Sequence, residues 1–264
     1  MENSDKNIKG LNIKTSNTGI LIFQIDNPKK KNSLNANHLK IIKDSMQKAI
    51  NNVNIKCILF CNKNDSEYFT SGNDFNNFGI LTYDEMASLF EDFINFLIKY
   101  PKILVAAVNG ICVGMGVTML CHFDIVLASE RARFWVPFIQ TLQVPEGTSS
   151  YMFPKLMGKL AGHMLYAGQG IDVNEAKSGG LVTAIIDSDS EDNKNDVFFE
   201  NTLDYVNNIC KNSTNILMKF KSMIKKHEID FLIKINKEEV KMLRESWDDQ
   251  NFKNIMKKFV KPKF

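Results

Sequence analysis

Ile103-Leu104-Val105-Ala106-Ala107-Val108-Asn109-Gly110-Ile111-Cys112-Val113-Gly114-Met115-Gly116-Val117-Thr118-Met119-Leu120-Cys121 runs for 19 residues without a charged side chain. That is close to the length a transmembrane helix needs. The turn pair Asn109-Gly110 interrupts it, however, and Gly114 and Gly116 follow, which a continuous helix would not favour. The first six residues, Ile103–Val108, form a short apolar run bounded by a turn, the signature of a buried strand. The stretch reads as buried strand, turn, glycine loop and helix start, and no membrane partner is expected.

Similar apolar runs lie on either side, at Gly19–Asp26, Lys56–Cys61 and Asp124–Ser129, with Ala132–Val136 and Leu181–Ile186 as further strands. Helical periodicity fills Asn35–Ala49 and Tyr83–Lys99. Buried strands alternating with helices of this length predict an α/β fold with a largely parallel sheet. Asp187–Asp196 is polar and acidic, but the positions where a calcium-binding EF-hand needs Gly and Glu hold Asp192 and Phe198; a solvated loop is expected. Beyond it Val197–Asn208, Thr214–Lys226 and Asp230–Phe259 read as helices. The expected organisation is an α/β core over residues 1–196 and a helical region over 197–264. No internal sequence repeat is visible.

The 264 residues include 44% hydrophobic and 24% charged side chains, enough for a full core without disulfides or metals. The net charge of +3 lacks the basic footprint of a nucleic-acid binder, so no nucleic-acid partner is expected. The last 52 residues hold 13 Lys and Arg against 7 Asp and Glu. Alternating with apolar residues at helical spacing, these lysines read as a solvated helix face rather than a polyanion site. Five cysteines without a CxxC pair point to buried thiols in a reducing compartment. Four scattered histidines give no zinc spacing, and no metal is expected. The first residues, Met1 to Lys6, do not resemble a signal or transit peptide, and Lys261-Pro262-Lys263-Phe264 is not a peroxisomal signal. The compartment stays open.

Three loops carry residues suited to chemistry. In Tyr68-Phe69-Thr70-Ser71-Gly72-Asn73-Asp74-Phe75 the glycine allows a sharp turn, either a plain one or one that leaves N–H groups open to a ligand. Asn109–Gly116 places a glycine loop between a strand and a helix; it lacks nucleotide-binding spacings and serves either tight packing or an oxyanion. In Val144-Pro145-Glu146-Gly147-Thr148-Ser149-Ser150, Glu146 is the lone acid between Glu130 and Asp172. It is either a general base with a raised pKa or an acid in the first turn of a helix beginning near Gly147.

In this order the three loops resemble those of the crotonase (enoyl-CoA hydratase/isomerase) superfamily. Asn27-Pro28-Lys29-Lys30-Lys31-Asn32-Ser33-Leu34 is similar to that family's Pro-x-x-x-Asn-Ala-Leu segment at the coenzyme A site. Ala106-Ala107-Val108-Asn109-Gly110, followed by Cys121-His122-Phe123-Asp124, is similar to its central signature. The resemblance spans residues 10–260. It implies a spiral of ββα turns with C-terminal helices that assemble a homotrimer, or a dimer of trimers. It also implies an oxyanion hole made by the N–H groups of Asn73 and Met115.

The two catalytic glutamates of hydratases match Thr118 and Phe138 here, so water addition is disfavoured. Val136-Pro137-Phe138 and Pro145-Glu146-Gly147-Thr148-Ser149-Ser150-Tyr151 resemble the peroxisomal-type Δ3,Δ2-enoyl-CoA isomerases, whose catalytic glutamate matches Glu146. The expected reaction converts 3-enoyl-CoA to trans-2-enoyl-CoA in fatty-acid β-oxidation. The resemblance places Lys31, Ser71, Gly72, Asn73, Asp74, Phe75, Gly114 and Phe138 at the substrate. Coenzyme A belongs to the acyl-CoA substrate, and no separate cofactor is implied. Phe75, Phe78, Phe138 and Met115 either line an acyl tunnel or fill the core, and Lys29–Lys31 either meet the coenzyme A phosphates or are plain surface lysines. A non-catalytic acyl-CoA-binding module, dienoyl-CoA isomerisation, thioester hydrolysis and weak hydration are the alternatives.

Overall fold

A computed structural model describes residues 6–63, 66–74, 81–188 and 197–259. Strands β1 (Lys6–Ile8), β2 (Leu11–Thr15) and β3 (Ile20–Ile25) form an antiparallel meander, followed by α1 (Ala36–Ile50). Three turns of a spiral come next. The first is β4 (Cys57–Asn62), β5 (Tyr68–Thr70) and α2 (Tyr83–Lys99). The second is β6 (Ile103–Val108), β7 (Ile111–Val113) and α3 (Met115–Thr118), which runs into a 3-10 turn, Met119–His122. The third is β8 (Ile125–Ala128), β9 (Arg133–Trp135) and α4 (Ser149–Met157). The chain then passes through α5 (Leu160–Leu165), β10 (Ile171–Asp172), α6 (Val173–Ser178) and β11 (Ala184–Ile185). It ends in α7 (Val197–Cys210), α8 (Thr214–Lys225), α9 (Ile229–Asp248) and α10 (Gln250–Phe259).

Each spiral turn gives its first strand to a large sheet, in the order β1-β2-β3-β4-β6-β8-β11, and its second to a small sheet, β10-β9-β7-β5. From β3 to β11 the large sheet is parallel, and parallel sheets need both faces covered. Alternation along β4 and β6 meets that need. Ile58, Phe60, Leu104 and Ala106 enter the main core, while Cys57, Leu59, Cys61, Val105 and Ala107 face Phe198, Val206 and Cys210 of α7. All five cysteines are free and buried, packed as small apolar groups as expected. The crotonase-type α/β spiral is therefore present. The repeat is structural, with no counterpart in the sequence.

β5, β7 and β9 run parallel and adjacent. Their C-terminal ends, and the loops leaving them, therefore lie side by side, which brings the three singled-out loops together. Over them α9 packs lengthwise on α2. Trp247, 1% exposed, sits among Tyr83, Phe90 and Phe252; burying such a ring contributes several kcal/mol.

Three sequence expectations need adjustment. The strand expected over Leu181–Ile186 shrinks to Ala184–Ile185, because the N–H groups of Leu181 and Val182 close the end of α6 on Ala176 O. The single helix expected over Asp230–Phe259 breaks at Asp249, whose extended backbone and side-chain bond to the Asn251 N–H start α10 anew, the local competition short acids offer. The C-terminal lysines are not all solvated: Lys221 is 6% exposed and, with Lys225, pairs with Asp124 at 2.6 and 2.8 Å. Of the two readings left open for Glu146, the acid in a first helical turn is set aside, since α4 begins at Ser149 with Thr148 as its N-cap. Of the acidic loop Asp187–Asp196, residues 189–196 lie outside the described residues. Among the described residues, no helix is long and apolar enough to cross a membrane, and no cluster of three or more His, Cys, Asp or Glu could hold a metal.

Candidate active site

The loop leaving β5 is zipped to the Asn27–Leu34 segment. Ser71 N–H donates to Lys31 O at 2.9 Å, Leu34 N–H to Gly72 O at 2.8 Å and Asp74 N–H to Leu34 O at 2.9 Å. Lys31 and Asn32 both take left-handed backbones (φ 52° and 55°). The buried Asn32 side chain holds this shape by accepting from Asn27 N–H and donating to Tyr68 O and Ser66 Oγ. Asn73 forms a parallel bridge with Leu34. In such a bridge the flanking peptides face the partner, which turns the N–H of Asn73 itself to the opposite side.

That opposite side meets the loop leaving β7. Gly72 has φ +80°, and a Cβ on it would lie 2.7 Å from Val113 O and 3.3 Å from Met115 N. The two loops therefore approach more closely than any side chain at 72 permits. Gly114, at φ 57° and ψ −125°, turns the chain into α3, a conformation reserved for glycine. Met115 is the first residue of α3, where an N–H has no partner within the helix.

Glu146 stands in the third loop. Gly147 and Thr148 both have φ +68°, and this pair of left-handed residues turns the chain from the Glu146 backbone into α4. A Cβ on Gly147 would meet Thr118 Oγ1 at 2.8 Å, so glycine lets the turn close onto α3. Two buried side chains hold the turn. His122 Nε2 lies 2.9 Å from Gly147 O, and since burial pushes its pKa down to about 4 it is neutral, with the proton on the nitrogen that faces the carbonyl. Glu239, from α9, accepts the N–H of Thr148 at 2.6 Å and of Ser150 at 2.9 Å.

Glu146 is 7% exposed. Its Oε1 accepts a hydrogen bond from Thr118 Oγ1 at 2.8 Å, while Oε2 has no hydrogen-bond partner. Burial pushes its pKa up to about 7; the Thr118 hydroxyl opposes the rise and Glu239 adds to it. A carboxyl that titrates near neutrality with one open oxygen is equipped both to take a proton and to return it.

The three loops enclose a cavity of about 80 Å³. Ser71, Asn73, Gly114, Met115, Phe138 and Glu146 line it together with Phe90, Val113, Pro137, Gln143, Leu243 and Trp247. Among the described residues lining it, Glu146 is the only acid. An apolar pocket with few convergent polar groups and one perturbed carboxyl has the character of an active site.

The profile of the Enoyl-CoA hydratase/isomerase family matches residues 15–264. The chain belongs to that family. It is 33% identical over 259 residues to the mouse protein "Enoyl-CoA delta isomerase 3, peroxisomal", an alignment covering 93% of this chain and 77% of that protein. It is 34% identical over 257 residues to human "Enoyl-CoA delta isomerase 2", covering 94% of this chain but 63% of the human one, so the chain spans less than two thirds of that relative. Among solved structures it resembles an enoyl-CoA hydratase/isomerase from Pseudoalteromonas atlantica T6c, with a TM-score of 0.84 and 28% identity over 97% of this chain and 99% of that one. Together these relatives place the chain among the enoyl-CoA hydratases and isomerases of the crotonase fold.

Within this crotonase the site residues expected from the sequence divide into three groups. Ser71, Asn73, Gly114, Met115, Phe138 and Glu146 line one cavity, with Gly72 packed directly behind it. Asp74 and Lys31 are turned to other partners: Asp74 accepts from Lys30 at 2.8 Å, and Lys31 Nζ lies 5.1 Å from the Tyr68 ring centre. Phe75 and Phe78 lie outside the described residues.

The structure adds Thr118 as hydrogen-bond partner of Glu146, Glu239 as the brace of its turn, and Gln143, Leu243 and Trp247 as cavity wall. For Glu239 and Trp247 the one available signal was an inward position on an amphipathic helix, shared with every core residue of α9.

Proposed function

We propose that this crotonase is a Δ3,Δ2-enoyl-CoA isomerase that moves the double bond of a 3-enoyl thioester to the 2-position through Glu146. The observation that carries this reading is the single buried carboxyl of the cavity, titrating near 7 with its Oε2 unpartnered. The reaction removes one proton from C2 and delivers one to C4, leaving the mass of the substrate unchanged. Ionised Glu146 takes the C2 proton, the thioester becomes an enolate, and the protonated Glu146 returns the proton to C4. The N–H groups of Asn73 and Met115 stabilise the enolate oxygen; each donor of this kind contributes about 3–4 kcal/mol.

Thr118 and Phe138 support isomerisation over hydration. By the family resemblance they stand where hydratases carry acids, and among the described residues lining the cavity Glu146 has no second carboxyl beside it to activate a water. Coenzyme A arrives as part of the substrate, and the reaction calls for no separate cofactor. Lys31, at the exposed rim of the Asn27–Leu34 segment, would meet its phosphates, making substrate affinity fall with added salt.

A homotrimer is part of the same proposal. Ile216, Phe220 and Ile224 recur at helical spacing on α8 and are 46%, 59% and 75% exposed, with Met223 at 67%. A stripe of this kind calls for a covering partner; the number three comes from the family resemblance.

Product analysis after incubation with a 3-enoyl-CoA tests the function. Isomerisation gives a conjugated thioester of unchanged mass. Hydration would add the mass of water, hydrolysis would release free thiol, and binding without turnover would favour the interaction-module reading.

A further inference from the structure

Glu239 is a buried acid that the proposed reaction does not use. It is 5% exposed, and no cation pairs with it among the described residues. Burying a carboxylate without a counter-charge is unfavourable unless hydrogen bonds compensate. Burial pushes the Glu239 pKa above the usual carboxylate range, and against that push both oxygens accept backbone N–H groups, from Thr148 and Ser150, the pattern of an ionised carboxylate, which only accepts. The first of those N–H groups belongs to the residue two positions after Glu146, in the left-handed pair that forms its turn. A helix more than 80 residues further along the chain thus reaches across to hold the segment that carries the reactive acid.

Building on the isomerase reading, we propose that Glu239 is a positioning residue for Glu146: its carboxylate clamps the Gly147–Thr148 turn and acts on Glu146 as a second buried negative charge. Among the described residues, the other groups facing the pair leave that charge unanswered. On the 3-10 turn, Cys121 is kept neutral by burial, which pushes its thiol pKa above the usual range, and His122 is neutral. From α3 comes the uncharged Thr118 hydroxyl, and from α2 the Ile94 side chain near Gly147. Lys221 and Lys225 are paired with Asp124, and Lys225 also donates to His122 O. The presence of Glu239 therefore raises the proton affinity of Glu146 and widens the range in which it can return a proton to carbon.

The test separates charge from shape. Glu239→Gln keeps one acceptor oxygen and removes the charge; Glu239→Asp keeps the charge and shortens the reach. The Glu146 carboxyl is titrated by NMR on protein labelled with 13C at the glutamate carboxyl carbons, with Glu146→Gln identifying its signal. Isomerase rates are followed over the same pH range, and thermal unfolding is recorded for each variant.

The proposal expects the Glu146 midpoint to fall by about half a pH unit or more in Glu239→Gln, with the acid limb of the rate profile moving alongside it. In Glu239→Asp the midpoint stays near the wild-type value while kcat drops, since the clamp is loosened. Equal midpoints in all three proteins, or equal shifts in both variants, would overturn it and leave Glu239 a structural brace read only in thermal stability. If wild type shows no isomerase activity yet the midpoint still moves in Glu239→Gln alone, the isomerase reading falls and the coupling of the two acids stands.

Discussion

Thr118→Val removes one hydroxyl from the site and leaves nearly everything else in place. Thr118 is fully buried, and its Oγ1 donates to Glu146 Oε1 at 2.8 Å, so no water can readily take over the bond. A hydrogen bond to a charged group contributes about 1.5–3 kcal/mol. One pKa unit corresponds to about 1.4 kcal/mol, so the loss would raise the Glu146 midpoint by about one to two units. Starting from about 7, the variant would titrate at about 8–9. At pH 7 the ionised fraction would fall from about one half to between about one tenth and one hundredth.

Initial rates of conjugated-thioester formation from a 3-enoyl-CoA, measured from pH 6 to pH 10, would show it. The expected result is a loss of about 5–50-fold at pH 7 that recovers as pH rises past the new midpoint. A loss of the same size at every pH would refute the reasoning, because the hydroxyl would then orient Glu146 without governing its ionisation. An unshifted acid limb with full activity would refute it as well.

Two further outcomes follow from the same geometry. Glu146 binds its proton more tightly folded, near 7, than in its ordinary range near 4.5, so its contribution to stability is present at low pH and lost as pH rises from about 4.5 through about 7. Glu146→Gln should therefore raise unfolding stability at pH 8 by about 1–3 kcal/mol and leave it nearly unchanged near pH 4, as urea titrations at the two pH values would reveal. Gly72→Ala would place a methyl group 2.7 Å from Val113 O and 3.3 Å from Met115 N on a left-handed backbone. Displacing the two proposed oxyanion donors, the N–H groups of Asn73 and Met115, relative to each other should lower kcat by about a hundredfold with far less effect on the affinity for coenzyme A; steady-state kinetics and competition by free coenzyme A would separate the two.

Long apolar periods were readable from the sequence. Tyr83–Lys99 and Ile103–Val108 appear with the expected boundaries, because 17 residues of helical spacing or six of unbroken apolar character leave little ambiguity. The small sheet was not readable beyond β9. β5, β7 and β10 have two or three residues each, too few to show a period of two, and they form by pairing with neighbours distant in the chain. Break points set by single side chains were also hidden: Asp249 ends α9 through a local bond that the hydrophobic pattern of 230–259 does not register.

The three loops were legible for a physical reason. A glycine at positive φ and an acid isolated in apolar sequence are both costly unless something requires them. Their convergence was not legible without the spiral, which returns the chain to the same edge once per turn. The partners of Glu146 lay deeper still. Thr118 is an ordinary helical threonine in sequence, and Glu239 is one acid among several on an amphipathic helix, distinguished only by what α9 packs against.

The most direct test of the central claim is the rate of conversion of a 3-enoyl-CoA to trans-2-enoyl-CoA by wild type and by Glu146→Gln, each shown to be folded. The account predicts an active wild type and a loss of at least about a hundredfold in the variant. A variant that keeps its rate, or a folded wild type that binds acyl-CoA and converts none of it, would contradict the account.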